Sequence, residues 1–101
     1  MTTFDDREAA YENKFAHDAE LEFLAEAARN KALAYWASEL MGRSANEAAK
    51  YAKSVIRVDL EFHDEGVVAM LKADLGDKSD EATIRAKMAE FMEEARKKII
   101  G

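Results

Sequence analysis

The chain has no cysteine, no proline and only four glycines in 101 residues. Without cysteine there are no disulfides and no thiolate metal sites, which fits a reducing cytoplasm. The glycines stand alone at 42, 66, 76 and 101, so there is no glycine-rich loop to cradle a phosphate. No apolar run approaches the roughly 18 residues of a membrane-spanning helix. No basic-then-apolar leader opens the chain, so no signal peptide is expected. Two histidines, His17 and His63, each lack a second histidine at metal spacing. "HDE" at 63–65 reads as a solvated cap before a helix. Of the four serines, at 38, 44, 54 and 79, two are explained as helix caps. No metal site and no catalytic constellation emerge, and a small enzyme built on His17 or His63 is the weakest reading of the chain.

Alanine, glutamate, lysine, leucine and aspartate dominate, a composition of helices joined by short turns. Thr3 can cap a first helix that nothing interrupts before Gly42, a natural left-handed terminator. Its later half carries Leu33, Trp36, Ala37 and Leu40 on one face. "SANE" at 44–47 is a capping box opening a second helix with the stripe Ala48, Ala52, Val55, Ile56 and Leu60. "EFHDEG" at 61–66 reads as a turn. A short third helix follows from about Asp64 to Leu75, burying Val67, Val68, Met70 or Leu71, and Leu75, and ending at Gly76. Ser79 caps a fourth, with Ile84, Met88, Phe91, Met92, Ala95 and Ile99 on one side. The sequence therefore predicts an all-α, antiparallel four-helix bundle with a long first helix.

The charge is lopsided. Residues 1–26 hold eight acids and two bases, which already accounts for the net charge of −6, and the remainder is neutral. An acidic end argues against nucleic acid. Within "FDDREAAYENKFAHD" at 4–18 the only large apolar residues are Phe4, Tyr11 and Phe15. At 100° per residue they fall within roughly 40° of one another, a narrow apolar line. Burying three rings, together with the helical hydrogen bonds, brings the balance against the entropy of ordering fifteen residues only to near zero. The segment is expected to be a mobile arm, 1–18, on a body, 19–101, that becomes fully helical in a groove supplied by a partner. From the pattern alone, a frayed acidic end and a partner-binding arm both stay open.

"FDDREAAYENKFAHDAELEF" with "ARNKALAYWASELMG" resembles the zeta inhibitor subunit of bacterial F-type ATP synthase. "AAKYAKSVI" and "DEATIRAKMAEFMEEARKKI" extend the likeness over nearly the whole chain. The resemblance implies an inhibitor whose N-terminal helix enters a catalytic interface of the ATPase head, between the large nucleotide-binding subunits and near the central rotor shaft. There it blocks hydrolytic rotation and largely spares synthesis. It implies a cytoplasmic protein, peripheral at the inner membrane through ATP synthase. It assigns partner binding to Phe4, Asp5, Asp6, Arg7, Glu8, Lys14 and Phe15. Tyr11 joins them from its place on the apolar line. No cofactor is required. Weak binding of ADP or ATP, with no residue assigned, is the alternative the resemblance offers: a small adenine-nucleotide-binding regulator.

Overall fold

The computed structural model describes residues 3–99, with side chains from Ala19 onward. Among the described residues three α-helices make the fold: α1 (Thr3–Leu40), α2 (Ala45–Leu75) and α3 (Glu81–Ile99), with a 3-10 turn at Gly76–Lys78 before α3. The expected count of four is corrected to three, and the reason lies inside α2. Its one non-helical residue is His63, at φ 59° and ψ −158°. The Tyr51 hydroxyl nevertheless donates to the Asp74 carboxylate at 2.7 Å. In a straight helix, residues so far apart in sequence would be about 35 Å apart. The second helix therefore folds back on itself at His63, and the six-residue turn expected over 61–66 contracts to a single residue.

Glycine 66 is what lets the chain reverse so tightly. A Cβ there would lie 2.3 Å from the Cβ of Phe62. Helix propensity alone says Gly66→Ala gains about 1 kcal/mol. The expected result has the opposite sign, a loss of about 1–3 kcal/mol, because the clashing atom is anchored directly to the backbone. Urea denaturation followed by helical circular dichroism decides it, and a stabilised variant would mean the reversal is looser than it is drawn.

Caps explain the remaining boundaries. The Arg43 N–H donates to the Ser38 carbonyl and the Gly42 N–H to that of Glu39. With Gly42 at φ 70°, this pair of bonds is the Schellman ending that satisfies the last free carbonyls of α1. The capping box expected at α2 is present: Ser44 and Glu47 each bond the other's backbone N–H. The expected Ser79 cap is corrected. Asp80 takes that role, its carboxylate accepting from the Thr83 N–H at 2.7 Å, and that bond holds its carboxyl below the usual range. The 3-10 turn moves the start of α3 to Glu81 and leaves the buried Ser79 hydroxyl without a partner.

α1 packs against both other helices. The core joins Leu33, Ala34 and Ala37 of α1 to Tyr51, Ala52, Val55, Val67, Val68, Leu71 and Leu75 of α2 and to Ile84 and Met88 of α3. Two stripe residues are corrected, since Leu40 and Leu60 are exposed. In α2 the inward position falls to Asp59, drawn in by a buried cation on α1. Trp36, Phe91 and Met92 are only half-buried.

Candidate functional site

All eight residues expected to bind a partner, Phe4, Asp5, Asp6, Arg7, Glu8, Tyr11, Lys14 and Phe15, fall in the N-terminal half of α1. Their side chains lie outside the described residues, as does His17. Past them, Ala19 and Glu20 are exposed, Leu21 and Glu22 are half-buried, and Ala25 is buried. The last turn of α3 reaches this region: the Arg96 Nε donates to the Glu22 carboxylate at 3.0 Å. Among the described side chains, those of α1 that meet the body begin at about Leu21.

The sequence reading missed a polar knot where α2 folds back. The Arg29 guanidinium, 5% exposed, donates to Asp64 at 2.8 Å and to Asp59 at 3.3 Å. It also donates twice to the Asn30 amide oxygen, and Asn30 donates to the second Asp59 oxygen at 2.9 Å. One cation on α1 thus grips α2 on both sides of His63. Glu26 stands beside the knot. Burial and then the Asp59 carboxylate push its carboxyl above the usual range, against the pull of Arg29. Oxygens of Glu26, Asp59 and Asp64 lie within 4.8 Å of one another. Three carboxylates at that spacing resemble a hard-metal ligand set, but the Arg29 guanidinium already pairs with two of them and offsets part of their charge. A signal for the knot was present in the sequence: Asp59 continues the 48, 52, 55 spacing of the apolar stripe. A charge in that register implies a buried partner.

Two wider features bear on small molecules. A groove of about 490 Å³ is lined by Arg29, Arg85, Arg96 and Lys97 with Met88 and Met92. Its volume falls among small-molecule pockets, but each of those cations already holds a carboxylate. Arg29 holds Asp59 and Asp64, Arg85 holds Glu65, Arg96 holds Glu22, and Lys97 holds Glu93. A phosphate would have to displace an acid at every one of them. No described helix is long and apolar enough to cross a membrane.

No curated protein matches the chain. The family model described as ATPase inhibitor subunit zeta matches residues 1–98, the N-terminal part of α1 and the folded-back body together, and the chain belongs to that family.

Proposed function

We propose that the chain restrains ATP hydrolysis by seating the N-terminal part of α1 at a catalytic interface of the F-type ATPase head, beside the central rotor shaft. Members of an inhibitor family are regulators rather than enzymes. The reading is carried by one observation: the family match runs through the whole acidic, core-poor segment as well as the body. Among the described side chains the body holds α1 from about Leu21 onward, and the reading assigns residues 1–18 to a partner. Phe4, Tyr11 and Phe15 supply the apolar anchors. Asp5, Asp6, Glu8 and Glu12 face basic groups and Arg7 and Lys14 face acids, steering and orienting more than holding. A helix wedged between subunits that must open and close stops the cycle sterically, without a reaction of its own. The protein is then cytoplasmic and peripheral at the inner membrane through ATP synthase.

The test is a titration of the cognate ATPase head with the full chain. Hydrolysis is expected to fall to a low plateau, while synthesis by the coupled enzyme in energised vesicles largely persists. Undiminished hydrolysis at saturating chain sinks the reading.

A further inference from the structure

We propose that the groove between Phe23 on α1 and Leu60 on α2 is a second docking surface for the ATPase head, receiving an apolar side chain together with an adjacent lysine or arginine. This rests on the function proposed above. Phe23 is 53% exposed and Leu60 60%, although a core this small has few large apolar residues to spare. With Ala27 and Ile56 they form the walls, Glu26, Asn30 and Asp59 complete the lining, and His63 lies at the fold-back. The pocket measures about 120 Å³. That is well below the range of roughly 300–1,000 Å³ for small-molecule sites, and it suits one protein side chain.

Charge selects the occupant. Of the three carboxylates that lie within 4.8 Å of one another, Glu26 and Asp59 line this pocket; Arg29 pairs with Asp59 and Asp64, which leaves Glu26 without an ion pair among the described residues. Burial first, and then the neighbouring Asp59 carboxylate, raise the Glu26 carboxyl. A cation delivered beside an apolar anchor gives Glu26 a partner while covering the two exposed side chains. A second copy of the chain is a poor occupant, since each copy carries a net charge of −6. Position points to the ATPase head. Phe23 follows Phe15 on the same helix by about 12 Å of axial rise, so a partner holding the last ring of the arm also borders the groove.

The experiment compares full-length wild type, Phe23→Ser/Leu60→Ser and Glu26→Lys for binding to the ATPase head at several salt concentrations. Both variants are expected to raise Kd at least about tenfold. The Glu26→Lys chain is also expected to flatten the salt dependence of Kd, which a purely structural role would not do. If Phe23→Ser/Leu60→Ser fails to fold, Glu26→Lys decides alone. Unchanged Kd values beside a wild type that inhibits overturn the groove and leave the proposed function standing. A wild type that neither binds nor inhibits overturns both. Sedimentation showing a wild-type dimer that Phe23→Ser/Leu60→Ser abolishes overturns the groove in favour of self-association.

Discussion

An Arg29→Met chain is expected to lose about 3–5 kcal/mol of stability, the usual cost of breaking a buried ion pair by removing one partner. A domain of this size has about 5–15 kcal/mol in all, so the variant should be partly unfolded at moderate temperature. Methionine fills much of the arginine volume, so the loss is electrostatic rather than a cavity. Asp59, 7% exposed, would retain Asn30 but no cation. Asp64 matters less, because its side chain is 58% exposed and water can replace the guanidinium there. The damage falls where α2 reverses, since Arg29 is the group that bonds acids on both sides of His63. Arg29→Met/Asp59→Leu is the control. Replacing both members of the pair by apolar groups is commonly neutral, so the double variant should recover the part of the loss owed to the uncompensated Asp59 charge. It also strips Asn30, 2% exposed, of its side-chain partners, a cost of about 1–3 kcal/mol that adding Asn30→Leu should relieve; a triple variant as unstable as Arg29→Met would show that packing, not charge, sets the cost. The pH dependence follows with a definite sign. Arg29 lowers the Glu26 carboxyl, which burial and Asp59 raise, so its removal raises that carboxyl further. A carboxyl raised in the folded state favours folding when protonated. The deficit should therefore narrow as pH falls from neutrality toward the ordinary glutamate value of 4.5, through the elevated folded value.

Local chemistry was legible in the sequence wherever a backbone requirement narrows the choice of residue. Gly42 ends α1 with a left-handed backbone, and the Ser44–Glu47 box starts α2. The apolar periodicities placed Leu33, Val55, Leu71, Ile84 and Met88 in the core. What periodicity does not encode is where a stripe switches from carbon to charge. The α2 stripe passes from Val55 to the buried Asp59 rather than to Leu60, because the facing surface of α1 presents Arg29 and Asn30 there. That facing is a tertiary fact. The turn expected over 61–66 shrinks to the single residue His63 for a related reason. Its glycine and acids look like any solvated link, whereas Gly66 is required by the approach of Phe62 and Asp64 by the guanidinium of Arg29. The expected partner-binding segment lies outside the described side chains. Its acidic excess and narrow line of rings are read from spacing alone, and under the proposed function what they meet belongs to another molecule.

Removing residues 1–18 is expected to abolish inhibition of hydrolysis while shifting the Tm of the remaining chain by no more than a few degrees. Among the described residues, every buried side chain lies between Ala25 and Ala95, so the deletion takes away no core contact the structure describes. The new terminus precedes Glu22, leaving its bond to Arg96 intact. Inhibition should nonetheless vanish, because the proposed function places the steric block wholly in the deleted helix. Full-length chains carrying Phe4→Ala, Tyr11→Ala and Phe15→Ala separate the anchors from the rest of the arm. Interface anchors of this type cost about 2 kcal/mol or more when truncated, roughly a 30-fold rise in Kd apiece. The triple variant should need at least about a thousandfold more protein to inhibit, unless the three rings act as one unit and the effects overlap. Arg7→Ala and Lys14→Ala should act mainly on the association rate and its salt dependence. A truncated chain that melts far below the full one would mean the rings are buried at home. In that case the first turns of α1 are core rather than inhibitor, and the aromatic variants should lose stability in step with any loss of inhibition.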